Sequence, residues 1–377
     1  MVSSLRPNAD RVQQSAESGA WLRAVGLLLA VLTSGCTSLD YYLQAAHGQF
    51  DIWHRQESIE RVLARPDLPA RLRAKLELVV AARTFARTHL ALPDHGSYHA
   101  YADLGRDFVV WNVFAAPALS LTPLTSCYPL LGCLEYRGFF AEARARAYAG
   151  QLRRQGYDTF VGGVAAYSTL GWFDDPVLST VLRWDDVRIV DIMFHELAHQ
   201  RLFVAGDSTF NESFAMAVAN AGVELWLADD QSARTRHALA SARNRQLIDL
   251  VFTYRERLAM VFTGRAEAAT KRTEKSRLYA ELHARYQDLK ATWGGDDSYD
   301  EWMDTDLNNA KLASLATYQD DVGAFLSILH RYDDDFPRFY AAVARLAALA
   351  PATRTRCLRA LATTSLMNAN DCDMVFR

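Results

Sequence analysis

Ile189-Val190-Asp191-Ile192-Met193-Phe194-His195-Glu196-Leu197-Ala198-His199-Gln200 reads as a buried helix that carries an HExxH pattern. Four residues advance an α-helix by just over one turn, so His195 and His199 project from one face and can share a metal ion. Glu196 lies beside them, where a carboxylate can take a proton from water held by such an ion. The apolar flanks predict burial, and two imidazoles in that setting want a partner. Zinc is the simplest one. A catalytic zinc usually takes three protein ligands and leaves a fourth position for water.

The third ligand has to come from downstream. Gly206-Asp207-Ser208-Thr209-Phe210-Asn211-Glu212-Ser213-Phe214-Ala215 predicts a turn and a new helix with Glu212 near its start, and a chain reversal there returns Glu212 toward the histidines. Thr209 to Glu212 also fits a capping box, in which Glu212 would satisfy a backbone amide instead. Glu224 is a substitute ligand, but its place further along the helix rotates it by about 120° from Glu212. Asp207 is a third option. Asp191, one turn before His195, is the candidate for orienting a histidine ring.

Working outward, 377 residues of which 50% are apolar make a chain that can bury a large core, and disorder as the main state is excluded. The charge balance, 41 − 44 = −3, leaves no basic surplus to neutralise phosphates, so nucleic acid is not an expected partner. Helical spacing runs through Ile59, Val62 and Leu63 and again through Leu72, Leu76, Val79 and Val80, with Pro66 and Pro69 between. Short strands and loops are expected between Tyr98 and Tyr136, a helix from Phe139 to Gln155, and a further strand through Val161, Val164 and Tyr167. From Val187 onward nearly everything reads as helix. The predicted class is α+β and predominantly helical, a small β region followed by a large helical body, with a possible subdivision into 36–186 and 187–377.

The apolar run Ala24 to Gly35 is too short to span a bilayer and suits an export signal. Thr33, Ser34 and Gly35 stand directly before Cys36, an arrangement that resembles the lipobox of bacterial lipoproteins. Residues 1–35 are therefore expected to be a signal peptide and Cys36 the lipidated residue. By resemblance to sorting rules, Thr37 in place of Asp points to the outer membrane. Removing Cys36 leaves four cysteines, for which an oxidising compartment favours the local pairings Cys127 with Cys133 and Cys357 with Cys372.

FHELAHQ, GDSTFNESFA and GVELWL resemble the bacterial family described as "putative aminopeptidase", whose members look like zinc-dependent HExxH lipoproteins of the gluzincin kind. YYLQAAHGQ from Tyr41, WNVFAAP from Trp111, YRGFF from Tyr136, AYSTLGWFDDP from Ala166 and NNAKL from Asn308 carry the resemblance over nearly the whole chain after Cys36. It implies a zincin-like metallopeptidase domain over 36–377, with zinc on His195, His199 and Glu212 and with Glu196 as general base. The chain departs from related enzymes at Met216, where an Asp usually follows the third ligand, and it lacks the GxMEN exopeptidase signature.

On that reading the expected function is zinc-dependent hydrolysis of peptide bonds on the periplasmic side of the cell envelope. Tyr167 and Tyr318 are candidate donors to the developing oxyanion. Ala166 to Trp172 is a candidate edge strand for an extended peptide, and Asp174, Asp175 and Glu224 are candidate partners of a free α-ammonium. The rival expectations are a noncatalytic lipoprotein that keeps zinc or binds peptides, and a metallohydrolase of nonpeptide amides. An intact Glu196 favours catalysis, since a structural site has no need of that base.

Overall fold

Pro66 and Pro69 interrupt the backbone hydrogen-bonding pattern, and a helix forms on either side of them. The computed structural model describes residues 41–128, 132–166, 169, 173–319, 321–362 and 372. Cys36, the export signal, Tyr167 and most of the expected edge strand lie outside the described residues. The chain divides into two compact units, Met1–His54 and Arg55–Arg377. In the first, residues 41–54 form helix α1.

The second unit opens with β1 (Gln56–Ser58), α2 (Ile59–Leu63) and α3 (Ala70–His89). The Ser58 hydroxyl caps α2 by accepting from the Arg61 amide. Then come β2 (Ala100–Ala102), β3 (Val110–Pro117), β4 (Ser126–Tyr128), β5 (Gly132–Leu134) and β6 (Arg137–Phe139), followed by α4 (Glu142–Arg154), β7 (Tyr157–Val164) and β8 (Val177–Leu178). Helix α4 starts later than its periodicity suggests because Phe139 is taken into a sheet, opposite Trp111. The strands form an antiparallel sheet β6-β3-β7, a small mixed sheet β1-β2-β8 and the hairpin β4-β5.

The remainder is helical: α5 (Ser179–Leu182), α6 (Asp186–Arg201), α7 (Ser208–Trp226), α8 (Gln231–Thr263), α9 (Ala268–Thr292), α10 (Asp300–Asp304), α11 (Asn309–Gln319), α12 (Val322–Arg331), α13 (Phe336–Ala347) and α14 (Pro351–Ala362). The chain is thus α+β and mostly helical, as its patterning predicts.

Helix α6 lies between α3 and α7. Phe194 stacks on Phe85 at 5.9 Å, and Gly222 lets α7 close on it, since a Cβ there would lie 2.7 Å from both Phe194 Cδ2 and Leu90 Cδ1. On the other side of α7, Phe210 and Phe214 meet Phe325 at 5.1 and 5.8 Å. Helices α8 and α9 form a hairpin with its own apolar core around Val251, Leu258, Leu282 and Tyr286.

Helix α11 stitches the helical body to the larger sheet. The Asn309 side chain donates to the carbonyls of Pro117, Ala118 and Ser120, and Asp158 accepts from the Asn309 amide and from Lys275. Two disulfides join the expected cysteines. Cys127 and Cys133 face each other across β4-β5, and Cys357 on α14 bonds Cys372.

Candidate metal centre

The Asp185 carboxylate caps α6 by accepting from the Arg188 amide. The apolar residues Ile189, Val190, Met193, Phe194, Leu197 and Ala198 are buried, and Glu196 and His199 are buried with them. The helix stops at Arg201 and the chain reverses through residues 203–207 into α7. Asn211 holds this reversal, because its side chain accepts from the Val204 amide and donates to the Val204 carbonyl, both at 2.8 Å. Asp207 caps α7, accepting from the Phe210 amide at 3.1 Å. The cap therefore lies upstream of Thr209, and the capping-box reading of Glu212 is replaced: the Glu212 carboxylate turns toward the histidines.

His195 Nε2 lies 3.1 Å from His199 Nε2 and 3.2 Å from Glu212 Oε2, and His199 Nε2 lies 3.5 Å from the same oxygen. Metal–ligand bonds of about 2.0–2.1 Å in tetrahedral geometry put neighbouring donors about 3.3 Å apart. The three atoms already stand at that separation, so the residues fit a zinc-sized cation. Among the described residues no other group of three His, Cys, Asp or Glu side chains converges in this way. Asp207 is not part of it, since Arg354 grips its Oδ2 at 2.6 and 3.0 Å. Glu224 is exposed on the last turn of α7.

The charges around the site are strongly coupled. Burial pushes the Glu196 carboxyl above its usual range, and the positive charges of His195 and His199 only partly oppose it. Burial acts on Glu212 in the same direction, but charge and hydrogen bonds from both histidines outweigh it and bring its pKa down to about 2. For His195 burial works against protonation, yet the bond and charge of Glu212, with Glu196 and Asp191 behind, leave its pKa raised. Asp191 contributes charge alone, its carboxylate being paired with Arg188 at 2.5 Å. His199 Nδ1 is buried with no hydrogen-bond partner among the described residues.

A second layer was not legible in the sequence. Gln200, next to His199, donates to Ser97 Oγ at 3.0 Å and reaches Asp175 Oδ2 at 3.5 Å. Asp175 also accepts from the Thr169 amide at 2.8 Å, and its own amide donates to Ser97 Oγ. Asp175 is therefore engaged in holding loops against α6, whereas Asp174 and Glu224 are exposed.

Tyr98 follows Ser97 with φ +62, an uncommon conformation for a bulky side chain, fixed by its amide bond to the Asp175 carbonyl and by Arg83 on its own carbonyl. Burial, with the negative charges of Glu196 and Asp175, raises its phenol pKa well above the usual value. Tyr98 is thus a tyrosine near Glu196 that no spacing rule singles out. Of the two tyrosines expected there, Tyr167 lies outside the described residues, and Tyr318 is described only by its backbone on α11.

The family model described as "Putative aminopeptidase" matches residues 40–358. The chain belongs to that family. The matched span contains the whole His195–His199–Glu212 cluster, Glu196, and the loops that Gln200 and Asp175 tie together. No curated protein and no solved structure matches the chain.

Proposed function

We propose that this family member is a zinc metallopeptidase of the gluzincin kind on a zincin-like fold, held by a lipid on Cys36 at the periplasmic face of the outer membrane. The observation that carries the reading is the convergence of His195 Nε2, His199 Nε2 and Glu212 Oε2, with the unused carboxylate of Glu196 beside them. His195, His199 and Glu212 are the zinc ligands. Zinc bound there supplies Lewis acidity toward a water and a peptide carbonyl.

Glu196 takes the proton of the attacking water and passes it to the departing amine. Its burial keeps bulk water from competing for that proton, and Gln200 ties the loops of Ser97 and Asp175 to the C-terminal end of α6, next to His199. The family description supports release of N-terminal residues from a peptide.

The test is zinc content and turnover measured together. The native chain should hold about one zinc, and His199→Ala should lose it. Glu196→Gln should keep the zinc and lose about 100-fold or more in kcat. Peptides with free N-termini should be cleaved and acetylated ones spared. Zinc retention with unchanged turnover in Glu196→Gln would remove Glu196 from the mechanism and the peptidase reading with it. Metabolic labelling with palmitate, lost in Cys36→Ala, tests the anchor separately.

A further inference from the structure

Helix α1 carries its large apolar side chains on an exposed face. Its exposed positions are Tyr42, Leu43, Ala46, His47, Phe50, Trp53 and His54, with no Lys, Arg, Asp or Glu among them. At about 100° per residue they fill a single sector of about 140°. The polar residues Gln44, Gln49 and Asp51 lie outside that sector. Tyr42 is 45% exposed, Leu43 60%, Phe50 63% and Trp53 40%, so one helix of 14 residues, 41–54, carries four of the nine large apolar side chains exposed on the described chain. A helix facing water has the opposite arrangement. A solvent face of aromatic residues without charge marks an interaction surface.

The position of the helix says what covers that surface. Cys36 precedes Tyr41 by five residues, a span of at most about 18 Å when extended. A lipid on Cys36 keeps α1 within that distance of the membrane surface. Tyr and Trp favour the water–bilayer boundary, where the ring is buried and its polar edge stays wet. The helix is about 21 Å long, too short to cross a hydrocarbon core of about 30 Å but suited to lying along it. Among the described residues no helix is long and apolar enough to span a membrane.

We propose that the Tyr42–Leu43–Phe50–Trp53 face of α1 lies in the interfacial layer of a phospholipid bilayer, a second contact beside the acyl anchor. The inference rests on the anchored reading of Cys36 and is independent of the zinc site. An interfacial helix beside the anchor fixes how the protein is oriented on the membrane.

The experiment uses the full lipidated chain reconstituted in phosphatidylethanolamine–phosphatidylglycerol vesicles, some made with acyl-brominated lipid. Co-sedimentation reports the anchor. The fluorescence difference between the native chain and Trp53→Phe isolates Trp53, and bromine should quench that difference at least twofold. Leu43→Glu with Phe50→Glu should abolish the quenching while the chain still sediments with vesicles.

A chain that co-sediments with Trp53 open to aqueous acrylamide and untouched by bromine overturns the interfacial helix and leaves the anchor standing. Trp53 shielded from both quenchers also overturns it, showing the face covered by protein. A chain that does not sediment at all overturns both.

Discussion

Glu196 and Glu212 share one pair of imidazoles and are pushed apart by them. Burial disfavours the charge of each, but Glu212 receives hydrogen bonds from both rings and settles near pKa 2, while Glu196 has only their charges and stays raised. On the proposed function the two carboxylates take different tasks, Glu212 as the anion that holds the cation and Glu196 as the base that accepts a proton. Glu212→Gln keeps the shape and removes the anion. We expect zinc affinity to fall by about 100-fold or more, measured by competition with a chromogenic chelator, with the circular dichroism spectrum unchanged. Native affinity in this variant would exclude Glu212 as a ligand.

At the scale of elements, the reversal between α6 and α7 decides where Glu212 points, and Asp207 serves it twice. It caps α7, and it is the anionic partner of Arg354, whose side chain is 5% exposed and also donates to the Ala347 and Leu349 carbonyls. Asp207→Ala strips the cap and leaves a buried guanidinium without its counter-charge, for a combined loss of about 3 kcal/mol in urea unfolding. Asp207→Asn keeps a capping oxygen and loses only the charge, so it should recover about 1 kcal/mol of that; equal losses in the two variants would mean the cap contributes nothing.

The same reversal abuts the β4-β5 hairpin. Gly132 has φ +76, and a Cβ there would lie 2.5 Å from the Gly206 amide nitrogen. Gly132→Ala should therefore cost about 1–3 kcal/mol, and because the displaced segment leads directly into α7 it should weaken zinc binding as well. A variant as stable as the native chain with full zinc affinity would show that the hairpin does not support the reversal.

Over the whole molecule, the parts legible in the sequence are those written in short-range spacing. The HExxH helix, the α3 pattern after Pro69 and the two short disulfide loops all depend on residues within a turn or two, or within one small loop. Thr209 and Asp207 are both good caps by type, so the sequence leaves the capping box open beside the ligand reading of Glu212, and the Phe210 amide bond to Asp207 Oδ1 chooses the upstream residue. The layer joining Gln200 to Ser97 and Asp175 connects residues far apart in sequence, and the exposure of the apolar face of α1 emerges only in the structure.

The NNAKL stretch lies between these extremes: its composition stands out, but its purpose is tertiary. Lys311 is buried, donates to the Thr305 carbonyl and, at 2.8 Å, to its hydroxyl, and sits 5.1 and 5.3 Å from the Trp302 and Phe160 rings. Burial outweighs the nearby Asp306 and Glu301 charges and lowers its pKa from 10.5 to about 8. Between those two values the unfolded chain holds a proton that the folded chain has released, so raising the pH across that window stabilises the fold. Lys311 lies on the helix that fastens the sheet to the helical body, so its titration should register in global unfolding. The urea midpoint of the native chain should climb from pH 8 to pH 10 relative to that of Lys311→Met, which lacks the titrating group. Parallel profiles for the two proteins would mean that Lys311 keeps its ordinary pKa when folded and is not held in the low-dielectric site that its neighbours describe.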